Sequence, residues 1–589
     1  MQRSFLRIIL FGALVILATV LVILTKWEVL SEKYVYHDDA AQIVYWEVRQ
    51  HEPQAFPDDL LADYSSNVKM PGIKAFHYVL TWILDPVTVG KWLWLIHLPL
   101  AIYFLFRLGE TFSGPWGGFL NASIVMTACW GSITDGPGSG GDLAVLLFAG
   151  FTWAISERRY GIVGLFLIAS CFLYPIALMV LLTVLPLVLI RRERLLGLGQ
   201  LERRQILWLG SVVLFCVGWN LLKFLYLNEN EFGELVSREM FFQMPEFGPD
   251  GRFPMRCDTL LDWLWSDTCG LAMNPVLISL FVCAILFLSL RPRDAGKIGR
   301  APWALLGAGM ILFIAATASI PSLFKPTKYL HLPFSITLGC IVSMYISHSG
   351  RNAKSRAARA AILISPVFVL TGIAYPHLNV RTYRAPDAPL YCYLQTLPDD
   401  ALIAAHPGLA NHIPVFARRS ILAGGEMALP LYMDYYGKVK ERINDFFRAY
   451  YTDDALQVID FCKEHSVDYL VVSDYHYSPE YLGSEQRYFE PFDEVIERKV
   501  SDPDNIFLLH LPDDLKLFSY SFKITEALKN NSFHWNGMRQ VETEDVDEGP
   551  DPPGGPSYEM FVASCQAISA RVSGARGATA DASVPGRGP

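Results

Sequence analysis

The first two thirds of the chain are built from long apolar runs separated by short polar breaks. Eleven such runs can be placed, at residues 5–24, 92–106, 116–130, 143–155, 161–173, 176–190, 206–225, 274–290, 303–320, 329–346 and 360–375. They are apolar on all sides, with no charged face at a 3.6-residue period, which is the pattern of helices surrounded by lipid or by other apolar helices. Crossing a bilayer takes roughly 20 residues, and the longer runs reach that length. Tyr174-Pro175 divides 161–190 into two segments and predicts a tight hairpin between them.

Beyond Tyr375 the pattern shortens. Ala401–Ala405 and Asp468–Ser473 read as buried strands, and Thr452–His465 carries Ala455, Leu456, Val458, Ile459 and Cys462 at helical spacing. The fold class expected is therefore a polytopic α-helical membrane protein of about 11 transmembrane helices followed by a small α/β domain. The expected boundaries are 1–378 for the transmembrane domain, 386–525 for the α/β domain and 530–589 for a disordered tail, where Glu542–Asp551 is acidic and the rest is rich in Pro, Gly, Ala and Ser.

Charge adds orientation. Arg3 and Arg7, then Arg158 and Arg159, then Arg191, Arg192, Arg194, Arg203 and Arg204, then Arg291, Arg293, Lys297 and Arg300, and finally Arg351, Lys354, Arg356 and Arg359 follow alternate runs. With eleven spans all these clusters fall on one side, the cytoplasmic one, so the N-terminus is expected inside and the C-terminal domain outside. The first run is read as a retained anchor, because no small-residue cleavage site precedes Lys26-Trp27-Glu28. A net charge of −9, with no basic stripe outside those loops, excludes nucleic acid as a partner.

Three stretches on the opposite side are long enough to carry chemistry. The first, 26–91, opens with Tyr36-His37-Asp38-Asp39-Ala40 and contains the apolar, aromatic Ile73–Leu84, framed by Pro71-Gly72 and Asp85-Pro86 and read as an interfacial helix. The second, 131–142, is glycine-rich and supplies Asp135 and Asp142. The third, 228–270, holds Cys257 and Cys269, a candidate disulfide in an oxidising compartment. The other eight cysteines read as small buried apolar residues. Each candidate has a plain structural alternative: an acidic pair flanking a span is often just solvated, Asp is at home in Gly-rich turns, and Lys near a span end snorkels to head groups.

An acidic pair directly after the first span, an interfacial helix, an acidic second outer loop, the late segment Lys325-Pro326-Thr327-Lys328-Tyr329-Leu330-His331-Leu332-Pro333-Phe334 and a C-terminal outer domain together resemble the GT-C superfamily of membrane glycosyltransferases. That superfamily includes protein mannosyltransferases, aminoarabinose transferases and oligosaccharyltransferases. The resemblance implies inverting transfer of a sugar from a polyprenyl-phosphate donor to a lipid, glycan or protein acceptor on the outer face of a bacterial inner or plasma membrane, in cell-envelope synthesis. The chain departs from the family's pattern in one place: its second outer loop has Asp135 and Asp142 seven apart and no contiguous Asp-x-Asp.

Glycosyl transfer to a hydroxyl needs a base at the acceptor and positive charge at the departing phosphate. Asp38 or Asp39 is the expected base, and Lys325, Lys328 and His331 the expected phosphate-binding groups. If a divalent cation takes part, Asp38, Asp39, Asp135 and Asp142 offer the hard oxygens that magnesium or manganese prefer. A transporter or flippase for a lipid-linked substrate is the first alternative, and 143–155, 165–190, 275–290 and 304–320 speak against ion coupling because they are free of charge except at their ends. The second is a non-catalytic scaffold.

Overall fold

The computed structural model describes residues 2–36, 39, 41–134, 141–189, 202–227, 232–290, 298–351, 355, 383–384, 388–523 and 557–581. The chain forms two compact units, and neither is continuous in sequence. The first comprises residues 1–33, 69–230 and 255–382; the second comprises 34–68, 231–254 and 383 onward.

The first unit is an all-helical membrane body. Five of its helices are long and apolar enough to cross a membrane, at Ser4–Thr25, Pro86–Ala128, Arg203–Lys223, Arg300–Ala318 and Thr327–Gly350. Shorter apolar helices occupy Gly141–Ser156, Tyr160–Leu173, Pro175–Leu189 and Pro275–Ser289. The protein is an integral membrane protein.

The Trp94–Ala128 helix is interrupted at Gly114, where φ is 71°. Pro115 then opens a second limb, and Asn121 Nδ2 donates across to the Leu105 carbonyl at 2.7 Å. A Cβ placed on Gly118 would lie 2.6 Å from the Phe106 carbonyl oxygen, so the two limbs pack backbone to backbone through small residues, as closely packed membrane helices do. The runs read as 92–106 and 116–130 are these two limbs. The helix break at Tyr174 (φ −153°, ψ 88°) likewise separates Tyr160–Leu173 from Pro175–Leu189 as expected. The eleventh run, 360–375, lies outside the described residues.

The second unit is a mixed sheet with helices. Strands β1 (Val35–Tyr36) and β2 (Tyr383–Arg384) form a short antiparallel ladder. The main sheet comprises β3 (Leu402–Ala404), β4 (Ser420–Ile421), β5 (Tyr469–Ser473), β6 (Lys516–Lys523) and β7 (Ser557–Ser564), in the order β4-β3-β5-β7-β6. Its first three strands are parallel, whereas β7 runs antiparallel to both neighbours. The expected strands at 401–405 and 468–473 are β3 and β5, and the helix expected at 452–465 is Ala455–Glu464.

Two expectations are corrected. Residues 557–581, read as structureless, provide β7, which is buried between β5 and β6, and the helix Cys565–Asp581; 524–556 and 582–589 lie outside the described residues. Cys462 and Cys565, read as apolar filler, form a disulfide spanning 103 residues.

The segment 34–68 belongs to this second unit because its buried side chains have partners there. Tyr64 stacks on Tyr435 with centroids 3.7 Å apart. Gln42 Nε2 donates to Glu426 Oε2 at 3.0 Å, and the same oxygen meets the Arg252 guanidinium at 3.0 Å. Arg252 and Glu426 are both buried, so each depends on the other for charge compensation.

Candidate active site

Within the membrane body, ionisable side chains gather where several helices begin or end. Lys26 directly follows the Gln2–Thr25 helix, His97 lies in the first turn of Trp94–Ala128, and Asp142 opens the Gly141–Ser156 segment. Following the chain up and down through the helices places all three at the same end of the bundle. Each is buried, with 6%, 3% and 7% of its surface exposed respectively. Asp142 and Lys26 are both electrostatic neighbours of His97, and Asp142 and Tyr329 are neighbours of Tyr174. Tyr174 occupies the break between two helices, and Tyr329 the first turn of Thr327–Arg351.

The imidazole of His97 has a defined tautomer. Its Nε2 lies 2.7 Å from the Ile133 carbonyl oxygen. A carbonyl only accepts, so Nε2 carries the proton and Nδ1 of the neutral ring presents a lone pair. Nδ1 is buried and has no hydrogen-bond partner among the described residues. A buried acceptor left unmatched costs about 1–3 kcal/mol unless another molecule supplies the donor.

The residues expected from sequence divide between the two units. In the body, Asp142 belongs to the cluster just described. Lys325 is half-buried with φ at 51°, in the turn that enters Thr327–Arg351, and Lys328 is exposed in the first turn of that helix. His331 faces the Leu271 backbone and Asp267, which attach it to the preceding loop. That loop is closed by the Cys257–Cys269 disulfide, as expected, and Thr327 Oγ1 donates to the Gly270 carbonyl at 2.6 Å. In the second unit, Asp39 is half-buried between β1 and the Ala41–His51 helix. Asp38 and Asp135 lie outside the described residues. Among the described residues no group of three or more His, Cys, Asp or Glu is placed to hold a metal ion.

Sequence reasoning missed Lys26 and His97. Lys26 reads as a span-flanking cation and His97 as one polar residue in an apolar run; only the fold brings them beside Asp142. The local signal was that His97 interrupts an otherwise apolar turn.

The second unit also buries histidines, and His406 has both of its ring nitrogens engaged. His406 Nδ1 accepts from the Gly408 amide at 3.3 Å, so Nε2 is the donor to Tyr481 Oη at 2.8 Å. Tyr481 in turn donates to the Arg487 carbonyl at 3.0 Å. His476 stacks on His406 with centroids 4.0 Å apart, and its Nδ1 meets Tyr450 Oη at 3.1 Å. Burial holds both rings neutral, pushing His476 down to about 3 and His406 well below the usual histidine range, the latter aided by the neighbouring His476.

No protein-family profile matches the chain, and no curated protein matches it in sequence. Solved structures with some likeness include the Archaeoglobus fulgidus oligosaccharyltransferase in its apo form, with a TM-score of 0.48 at 10% identity, covering 80% of this chain and 70% of that one. The same organism's oligosaccharyltransferase in complex with Zn and sulfate gives 0.47 at 12% identity, covering 80% and 69%. The archaeal oligosaccharyltransferase AglB, in complex with an inhibitory peptide and a dolichol-phosphate, gives 0.48 at 11% identity, covering 88% and 73%.

Proposed function

We propose that this protein is a membrane glycosyltransferase of GT-C type that moves a sugar, with inversion, from a polyprenyl-phosphate donor to an acceptor on the outer face of the membrane. The observation that carries the reading is the buried group of Lys26, His97 and Asp142 at one end of a bundle of apolar helices. A lipid-linked sugar brings an anionic phosphate to the membrane boundary and keeps its chain in the hydrocarbon. A site for it must therefore combine apolar walls with a buried cation and a few directed polar groups.

In this reading the Lys26 ammonium faces the phosphate and stabilises the charge that grows on it as the sugar leaves. His97 Nδ1 accepts a hydrogen bond from a donor hydroxyl. Asp142 balances the local charge, and with Asp135 it offers hard oxygens should magnesium or manganese join the phosphate. Lys325 and Lys328 extend the positive field along the entry to Thr327–Arg351, with His331 supporting that turn. Asp38 or Asp39 takes the proton from the acceptor. Both disulfides then face an oxidising compartment, with the N-terminus and the arginine clusters in the cytoplasm.

The test is transfer of labelled sugar from a panel of polyprenyl-phosphate sugars by the purified protein in nanodiscs, with Asp38→Asn and Asp39→Asn beside it and a chelator arm. Transfer that falls at least about 100-fold in one Asp variant supports the assignment of the base. Failure to turn over, or to be thermally stabilised by, any donor in a broad panel would contradict the reading.

A further inference from the structure

The outer loop closed by Cys257–Cys269 carries a one-and-a-half-turn helix, Leu260–Trp265, that the catalytic reading does not use. Its sequence is Leu-Leu-Asp-Trp-Leu-Trp, and Leu260, Leu261, Leu264 and Trp265 are all exposed, Leu260 by 76%. Four large apolar side chains on one short element are far more than a solvated loop needs. The element is also rigidly built. Thr259 and Asp262 form a reciprocal capping box at its start. Gly270 approaches so closely behind it that an added Cβ would lie 2.4 Å from the Asp262 carbonyl oxygen.

Its place in the fold says what covers it. The Leu271 amide donates to the Trp263 carbonyl and the Met273 amide to the Leu264 carbonyl, both at 2.9 Å, two residues before the apolar Pro275–Leu290 helix begins. On the other side, the Trp263 ring meets Phe313 edge to face at 6.2 Å. Phe313 lies five residues inside the end of the Arg300–Ala318 span, which at a rise of about 1.5 Å per residue is roughly 7 Å below that end. The Trp263 ring thus packs against the last two turns of the span. The neighbouring surface of the same span is Met310, Ile311 and Ile314, all exposed, an apolar face of the kind that acyl chains cover.

We infer that Leu260–Trp265 is a membrane-seated wedge whose partner is the outer-leaflet lipid at the boundary between head groups and acyl chains, held there by the Cys257–Cys269 bridge. Elements of this type penetrate about 5–10 Å, the depth set by the Trp263–Phe313 contact. Tryptophan and leucine are the residues that such a boundary favours, the indole lying among the head groups and the leucines below.

The test uses the full-length protein in nanodiscs with an environment-sensitive fluorescent amino acid replacing Leu261, or Leu260 in a second preparation, and Leu517 of the sheet unit as an exposed apolar control. Emission is titrated with lipids spin-labelled just below the head group and, separately, with aqueous iodide. The expected result is at least threefold stronger quenching by the lipid-borne label at 261 and 260, iodide dominating at 517, and lipid quenching at 261 weakened in Cys257→Ser. Iodide quenching at 260 and 261 equal to that at 517 would overturn the inference. So would protection from both quenchers, which would mean that protein covers the face.

Discussion

His97 in the membrane body and His406 in the sheet unit are both buried, and both have one ring nitrogen fixed by a backbone group. They differ in what the second nitrogen finds. His406 completes a chain through Tyr481 to a carbonyl, which is how a folded core disposes of a polar side chain. His97 offers its second nitrogen to nothing among the described residues, beside an ammonium and a carboxylate. Burial alone therefore says little about function. A buried group whose hydrogen bonding is unfinished, placed among charges in apolar helices, says more.

The two regions also differ in what closes them, which gives the largest expected effect. Cys462–Cys565 ties together segments 103 residues apart, whereas Cys257–Cys269 spans only 12. Chain-entropy reasoning assigns about 4–5 kcal/mol to the long loop and about 3 to the short one. Cys462→Ser should accordingly lower the denaturation midpoint of the sheet unit more than Cys257→Ser lowers that of the body. Unit-specific hydrogen exchange under rising urea measures both, and equal losses would deny that β7 and its helix are integral to the sheet.

A smaller effect sets His406 and His476 of the sheet unit apart by pH. Their folded-state affinity for protons is depressed, so the unfolded chain binds more protons below its own pKa of about 6.5. The stability they contribute is present above that value and lost as pH falls toward about 3 for His476. Asp59 and Asp474 act in the opposite direction, because burial raises each to about 6 and the folded state gains from their protonation as pH drops below that. Comparing wild type with His476→Gln isolates the histidine. The advantage of the wild type should shrink by about 2 kcal/mol between pH 7 and pH 5, read from exchange of the Val471 and Val472 amides in β5. A gap that widens would mean that His476 is protonated in the folded state.

Much of the architecture was legible in the chain. Uniformly apolar runs can only be buried or lipid-facing, so the described helices of the body fall on those runs, including the pair divided at Tyr174-Pro175. The Cys257–Cys269 bridge was also legible, because both cysteines share one short loop. Strand β7 was not. Its Ser-Tyr-Glu-Met-Phe-Val-Ala-Ser run lies between stretches of Pro, Gly, Ala and Ser that dominate local composition, and its partners are 34 and more residues away in sequence. Cys462 looked like one more apolar position on a helix because its partner lay in that same stretch. Of the buried cluster only Asp142 was visible, since acidity in a Gly-rich loop is a local signal. Lys26 and His97 gain meaning from residues 45 to 116 positions away. No periodicity encodes that.

The central claim is that unfinished hydrogen bonding at His97 marks the reacting site, and the most direct test sets His97→Phe against His406→Phe in the donor-transfer assay, each rate divided by the folded fraction. His97→Phe should lower transfer per folded molecule by at least about 100-fold, while His406→Phe should lower stability by about 1–3 kcal/mol and leave transfer per folded molecule within about twofold. Full transfer by a folded His97→Phe protein would contradict the account.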